Sequence, residues 1–456
     1  MAGKGELELR RTAAQMHALA AVRREVRSRD SANGRKYLRE FTDAFRQYDS
    51  ILSSDQLNDK IGAASTLLIG DYHALAASQR FVTELIERLS QGRRVVVGLE
   101  AVLSRDQRIL DAWWRREIAE AELRRRLCFD RDWGYDWSPF YELLLSARDH
   151  SEGIYGLDCE PRNDLRRIGS RDRHAVAKIC QMRQEHPEGV VIVLFGESHL
   201  APQHLPRVLA ESLPEERTLT VLQNVDTLYW QAISESAAAI GIGDRTICVF
   251  NSTPLEKYES YRLCFERWNN AADDGPDFTP AVYNLIFSLA RSLGFSLNSP
   301  RNGTQPKFLS DSLPEVMTVN DSALPELSDE DALRLKDQNC VYVASTNTFL
   351  VREFQVRHAA QETTRFLYHV CQGMVKVSAH AKAVEDALAG FGASLLCPAV
   401  GTDDAPVSEA GQLLYHSYLA GQLRRTSIRR MFLTHVDSEA AAAQTLAMIG
   451  TSGRRL

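Results

Sequence analysis

The sequence predicts an α/β fold with helices on both faces of a parallel sheet, preceded by N-terminal helices and followed by a mainly helical domain. Two observations lead to this prediction. Between about residues 65 and 250, short aliphatic runs recur, several of them bounded by Gly, and amphipathic helical stretches separate them. After about residue 330, helical spacing of apolar residues dominates. Short apolar runs that alternate with helices are typical of buried parallel strands.

The individual elements follow from these patterns. The runs predicted as strands cover residues 66–69, 95–99, 153–157, 190–195, 218–222 and 246–250. The helical stretches between them cover residues 78–91, 106–127, 139–149 and 170–185. Each run is too short for a helix and carries the β-branched residues that favour strands.

The chain is long enough for two or three domains, and composition changes suggest where they divide. Residues 1–60 are predicted to form an N-terminal helical cap, and residues 61–253 the α/β domain. Residues 254–330 contain loops rich in Pro, Asn, Asp and Ser and are predicted to be a linker. Residues 331–456 are predicted to form the mainly helical C-terminal domain.

Charge and hydropathy exclude some function classes. The net charge of -6 argues against a general nucleic-acid binder, which would be basic. No apolar run approaches the roughly 20 residues that a membrane-spanning helix needs. The N-terminus has no apolar secretion segment and no lipoprotein cysteine. A cytoplasmic protein that acts on haem or a small molecule, without nucleic acid and without a membrane span, is therefore expected.

Two G-x-x-H sequences stand at the ends of predicted strands. Gly70-Asp71-Tyr72-His73 and Gly196-Glu197-Ser198-His199 each follow an apolar run and precede a helix. A single G-x-x-H is close to chance expectation, so the information lies in the matched position of the two. The carboxyl ends of parallel strands share one edge, where open α/β folds bind ligands. His73 and His199 are therefore candidate ligands of a metal or haem iron, or proton carriers.

Carboxylates stand at the same strand ends. Glu100 directly ends a run of aliphatic residues, so its charge needs a cation, a metal or a cluster of donors. Asp71 and Glu197 are candidate general bases, with helix capping as the alternative role. The aromatic loop at 129–137 either packs in the core or lines a flat apolar ligand.

A second candidate cluster lies in the C-terminal half. His358, Glu362 and His369 fall within about 40° on one face of a predicted helix at 353–377. A second metal site is one interpretation of this spacing. An ordinary polar helix face is the other.

Several stretches resemble the ChaN-like haem-binding proteins of the Tiki/TraB and erythromycin-esterase superfamily. They include both G-x-x-H turns, the Val97-Gly98-Leu99-Glu100 sequence and Trp133-Gly134-Tyr135. The resemblance covers about residues 60–235. It implies an α/β domain with a functional edge at His73, Glu100 and His199, with Asp71 and Glu197 beside them. Some members of the superfamily bind haem and others are metal-dependent proteases or esterases.

The resemblance favours a haem- or iron-binding protein with His73, His199 or Tyr72 as the axial ligand. The alternative is a metal-dependent hydrolase. In that case iron, zinc or manganese is held by His73, Glu100 and His199, with Glu197 or Asp71 as general base. An esterase without metal and a scaffold that binds another protein are further variants. A homodimer is expected by family analogy alone.

Overall fold

The computed structural model of the chain describes residues 12–29, 36–160, 168–232, 237–269, 276–295, 313–320, 324–372, 378–398, 409–434 and 438–453. The chain divides into two compact units. One unit holds Asp30–Cys264. The other combines Met1–Arg29, which contains helix α1 (Ala13–Arg29), with Phe265–Leu456.

Within its described residues, the unit Asp30–Cys264 contains an eight-stranded sheet with the order β1-β7-β8-β6-β2-β5-β3-β4. The strands from β8 to β4 in this order pair in parallel, whereas β7 is antiparallel to both β1 and β8. The strands are β1 Ser50–Ile51, β2 Thr66–Asp71, β3 Val95–Leu103, β4 Gly153–Asp158, β5 Val190–Gly196, β6 Thr218–Gln223, β7 Ala239–Ile242 and β8 Thr246–Val249.

Helices cover both faces of this sheet. Every residue of β2 and of β5 is buried, which requires covered faces on each side of the central strands. The helices are α2 Lys36–Ala44, α3 Ser54–Ala63, α4 Ala76–Ser90, α5 Gln107–Trp114, α6 Glu120–Arg126, α7 Phe129–Asp132, α8 Trp137–His150, α9 Ile168–Glu185, α10 Leu205–Ser212, α11 Asp226–Ala232 and α12 Pro254–Asn269. The predicted α/β fold is confirmed.

Two details of the sheet region differ from the prediction. The single helix predicted over 106–127 is interrupted, because Arg116 has a left-handed backbone (φ 61°) that ends α5 before α6 begins. The strands β1 and β7 were not predicted. They have only two and four residues, too few for a recognisable alternation of apolar residues.

The second unit is mainly helical. Its described helices after α1 are α13 Thr279–Leu293, α14 Asp329–Gln338, α15 Val356–Gln372, α16 Ala379–Leu396, α17 Glu409–Leu419, α18 Arg425–Leu433 and α19 Glu439–Gly453. Within the described residues it also contains a three-stranded sheet of β9 (Glu315–Thr318), β10 (Cys340–Val343) and β11 (Thr348–Val351), with β11 in the middle.

The structure changes two of the predicted boundaries. The cap predicted over 1–60 does not form one unit, because α1 packs on α13 and Asn284 donates a 3.1 Å hydrogen bond to the carbonyl of Ala18. The linker predicted over 254–330 is wrong in its first part, where α12 and α13 are helices. Parts of these two regions, 1–11, 30–35, 270–275, 296–312 and 321–323, lie outside the described residues.

Helix α12 was not predicted from the sequence, and the reason is physical. Its buried positions include charged residues, Lys257, Glu259 and Arg262, so it shows no apolar stripe at helical spacing. In the described part of the chain, no helix is both long enough and apolar enough to cross a bilayer.

Candidate functional site

The strand order places the two G-x-x-H turns side by side. β5 lies between β2 and β3 and pairs in parallel with both. Asp71, the last residue of β2, is in register with Gly196, the last residue of β5. His73 follows β2, and His199 lies in a short 3-10 helix, Glu197–Leu200, that continues β5. The two histidines therefore approach the same edge of the sheet.

Glu100 lies between the two histidines. The sequence predicts it at the end of its strand, but β3 continues to Leu103, and Glu100 instead follows Leu99, the last β3 residue that pairs with β5. Its Oε2 is 3.8 Å from Nε2 of His73, and its Oε1 is 3.8 Å from Nε2 of His199. Both distances are too long for a hydrogen bond. Instead, Oε1 accepts from Nη2 of Arg171 at 2.6 Å, and Oε2 accepts from the backbone N–H of Gly196. His73, Glu100, His199 and the residues that contact them form what we term the rim site.

Each histidine of the rim site is held through Nδ1 by a buried carboxylate. Nδ1 of His73 is 2.8 Å from Asp71, and Nδ1 of His199 is 2.6 Å from Asp172. Asp71 also accepts a 2.6 Å bond from Gln79. Within the described residues, Nε2 of neither ring takes part in a hydrogen bond. When a ring is neutral, its Nδ1–H can donate to the carboxylate, and the lone pair then lies on Nε2, the atom nearer to Glu100.

The rim site places buried carboxyl groups next to the imidazoles and the guanidinium of Arg171. Burial would raise the pKa of Glu100, but His73, His199, Arg171 and the N–H of Gly196 lower it to about 2. Burial would lower the pKa of His73, but Asp71 and Glu100 outweigh it and raise this pKa. Glu100 is therefore ionised at neutral pH, and the imidazole is readily protonated. The buried carboxylates are Asp71, Glu100, Asp158 and Asp172.

The two histidines differ in access. The side chain of His73 is 21% exposed, whereas that of His199 is 4% exposed. The imidazole of His73 packs on Trp133, with 4.3 Å between ring centroids, and on Tyr135, with 5.2 Å. The aromatic loop predicted at 129–137 thus reaches the site through these two rings. His73 stands at the entrance of the rim site and His199 at its back.

Tyr72 and Glu197, two other predicted site residues, face a buried lysine. Both carboxylate oxygens of Glu197 accept from Nζ of Lys257, at 3.0 and 2.8 Å. The same ammonium lies 4.6 Å from the centroid of the Tyr72 ring, which also packs on Tyr261 at 5.9 Å. Glu197 is therefore held in an ion pair with Lys257 and is not available as a general base.

Three residues of this arrangement were not predicted: Arg171, Asp172 and Lys257. In α9, Arg171 and Asp172 lie on the buried face that continues through Ala175 and Val176. The sequence signal that could have revealed Arg171 and Asp172 is their charge on a helix face that is otherwise apolar. For Lys257 the sequence offered none, because its helix was not predicted.

The second candidate cluster, in the C-terminal half, does not come together. Glu362 is buried and accepts from Arg334 at 2.9 Å and from Arg365 at 3.1 Å. His358 contacts the carbonyl of Gln338, and His369 lies 3.4 Å from Glu385. Glu362 and His369 are linked through Arg365 and Glu385 in one ion-pair network, whereas His358 bonds elsewhere. Within the described residues these side chains do not form a metal site.

The rim site itself is a poor fit for the predicted divalent ion. In the described part of the chain, no group of three or more His, Cys, Asp and Glu side chains has the arrangement of a metal site. Both oxygens of Glu100, one of the three predicted ligands, already accept hydrogen bonds, from Arg171 and from Gly196.

Comparison with known families concerns this same region. Residues 57–186 match the family model described as haem-binding uptake, Tiki superfamily, ChaN. Over this segment the chain is similar to the ChaN-like haem-binding proteins. The predicted resemblance is thus confirmed for the part of the chain that carries His73, Glu100, Arg171 and Asp172. The second G-x-x-H turn and Lys257 lie beyond the matched segment.

Two solved structures resemble the chain more distantly. The ChaN of Campylobacter jejuni, described with cofacial haem binding, is 17% identical over 38% of this chain and 87% of its own, with a TM-score of 0.28. The type III effector HopBA1 is 15% identical over 45% of this chain and 96% of its own, with a TM-score of 0.33. At this level of likeness neither structure bears on the chemistry of the site. No curated protein sequence matches the chain.

Proposed function

We propose that the unit Asp30–Cys264 binds haem, and that Nε2 of His73 would hold the haem iron. The observation that carries this proposal is the state of the His73 ring. It is the more exposed of the two rim histidines, and Asp71 holds its Nδ1, so that Nε2 has a lone pair. A histidine whose second nitrogen is fixed by a carboxylate is the usual form of a metal-binding imidazole.

The surroundings of His73 suit a flat macrocycle. Trp133 and Tyr135 pack against the imidazole and supply aromatic surface next to it. Haem needs one or two axial donors and apolar walls, and this group of three rings provides both kinds of contact. When bound, the haem iron would supply the redox or transport chemistry, and the protein would supply the donor and the walls.

The other predicted axial ligands are less suited. His199 is almost fully buried behind Glu100, where a macrocycle could not reach it. Burial raises the pKa of the Tyr72 phenol well above its usual range, which disfavours the phenolate that would bind ferric iron. We therefore infer that His73 would hold the iron and that His199 has a supporting role.

Hemin titration of the purified protein, followed by the Soret band, tests this proposal. We expect saturable binding at one site per chain, lost in His73→Ala and retained in His199→Ala. His150→Ala, at the exposed end of α8, serves as the control that leaves binding unchanged. Absence of a Soret shift in the native protein, or an unchanged shift in His73→Ala, contradicts the proposal.

A second candidate is hydrolysis of a small ester or amide without a metal. It is favoured by the convergence of two unbonded Nε2 atoms on an ionised carboxylate. In this case His73 would take a proton from a water whose oxygen attacks the carbonyl carbon. The bond to the leaving group then breaks, and the imidazolium returns its proton to that group. Glu100 would stabilise the imidazolium electrostatically.

The histidine variants separate the two candidates. Hydrolysis predicts turnover of p-nitrophenyl esters that resists chelators and falls at least about 100-fold in both His73→Ala and His199→Ala. Haem binding predicts loss in His73→Ala alone. If only His73→Ala loses the Soret shift, and the native protein does not hydrolyse the esters, haem binding is the function that remains.

A further inference from the structure

Lys257, on helix α12, is a buried cation whose donors are all accounted for. The residue is 4% exposed. A lysine ammonium has three N–H donors. Three oxygens accept from it: Oε1 of Glu197 at 3.0 Å, Oε2 of Glu197 at 2.8 Å and the carbonyl of Asn224 at 3.3 Å. No donor remains for a substrate, so Lys257 holds structure together rather than binding a ligand.

The contacts of Lys257 reach three neighbouring strands. Glu197 is the first residue after β5, and Asn224 follows the end of β6. The Tyr72 ring, 4.6 Å from the ammonium, belongs to the turn after β2. β6, β2 and β5 are consecutive in the sheet. A single charged group therefore contacts both G-x-x-H turns as well as the strand end next to them.

The start of α12 is fixed to the same strand end. The side-chain oxygen of Asn224 accepts from the backbone N–H groups of Asn251 and Ser252, at 2.9 and 3.0 Å, just before the helix begins. Lys257 is thus attached to the sheet through its helix as well as through its side chain. Its position cannot change without loss of these hydrogen bonds.

We propose that Lys257 is a positioning residue of the rim site, which fixes the two G-x-x-H turns relative to each other and thereby the rings of His73 and His199. This proposal depends on the proposed function in one respect only: it takes His73 and His199 as the residues that act on the ligand. It extends the site to a helix beyond the matched family segment.

The alternative is that Lys257 only neutralises Glu197. Positioning of the turns and neutralisation of Glu197 predict different results when Lys257 and Glu197 are both replaced by uncharged residues. Replacing a buried ion pair by residues of similar volume is often neutral for stability. Such a pair would still lose the contact with the Tyr72 ring and the hydrogen bond to Asn224, so the connection between the turns through this side chain would be lost.

The test uses the full chain with three variants. Lys257→Met removes the ammonium, and Lys257→Arg keeps the charge in a planar group that cannot donate in the same three directions. Lys257→Met combined with Glu197→Gln removes both charges. Lys382→Met is the matched control, because Lys382 also pairs with a glutamate, Glu330, at 2.9 Å but is exposed.

Two measurements read out the site. Nitrogen-15 NMR of the histidine rings in the protein without ligand reports tautomer and environment, and hemin titration reports affinity. For Lys257→Met we expect shifted ring signals of both His73 and His199, together with affinity weakened by about tenfold or more. Lys257→Arg should recover part of each effect. The double variant should regain stability to urea but not the native ring signals.

Native ring signals and native affinity in a folded double variant would overturn the proposal, because they would leave charge neutralisation as the whole role. Native ring signals in folded Lys257→Met would overturn it as well. These ring signals do not depend on haem. If the native protein fails to bind hemin while Lys257→Met still shifts both rings, the proposed function fails and the positioning role stands.

Discussion

Arg171 donates a 2.6 Å hydrogen bond to Glu100 inside the α/β unit, where the two side chains are only 8% and 5% exposed. The same guanidinium also donates to Asp158 at 2.8 and 2.9 Å. It thus connects β3 with the end of β4 and supplies a fixed positive charge next to Glu100. The imidazoles of His73 and His199, together with this guanidinium, lower the pKa of Glu100 and keep it ionised.

Removing the guanidinium of Arg171 should lower the free energy of unfolding. Arg171→Met leaves Glu100 and Asp158 without their shared cation, and breaking a buried pair in this way costs about 3–5 kcal/mol. Urea unfolding measures the loss. Arg105→Met is the control, because Arg105 pairs with Glu160 on the surface, where such pairs contribute about 1 kcal/mol or less. Equal losses in the two variants would contradict the structural role of Arg171.

The protonation of His73 should depend on Asp71. Burial lowers the pKa of His73, and Asp71 is the first of the groups that raise it. In the native protein we expect the ring to titrate above pH 6.5, and in Asp71→Asn at lower pH. A raised pKa stabilises the fold below pH 6.5, and this contribution is lost as pH rises through the folded-state value. NMR titration of the His73 ring measures the shift, and an unchanged pKa in Asp71→Asn would refute it.

Glu100 should make the fold sensitive to acid. Its pKa is lowered from 4.5 to about 2, so its contribution is present above pH 4.5 and lost as pH falls towards 2. A shift of this size corresponds to about 3 kcal/mol. Urea unfolding between pH 6 and 2 should show this loss, and Glu100→Gln should lack that part of the pH dependence. The exposed Glu188→Gln should keep the native profile.

The sequence was sufficient for the α/β sheet and for the main polar residues at its edge. Aliphatic runs predicted six strands, each of which the structure contains, because a strand buried on both faces leaves a continuous apolar run. The two G-x-x-H turns and Glu100 were found because polar residues directly after such runs are conspicuous.

Partners that come from distant helices could not be predicted in this way. Arg171 is 71 positions from Glu100, and Lys257 is 60 positions from Glu197. Both reach the site only because of strand order and helix packing, which no local pattern encodes. α12 was missed for the same reason, since it buries charges whose partners lie on other elements.

Gly196 leaves the space in which Glu100 and His73 meet. A Cβ at this position would lie 3.0 Å from Oε2 of Glu100 and 3.3 Å from Nε2 of His73, closer than most such contacts allow. Gly196→Ala should therefore displace both side chains, shift the His73 ring signal and cost about 1–3 kcal/mol. Gly62→Ala is the control: its Cβ would meet nothing within 4 Å in helix α3, where alanine stabilises by up to about 1 kcal/mol. Native stability and an unmoved His73 signal in Gly196→Ala would show that the backbone there does not set the geometry of the site.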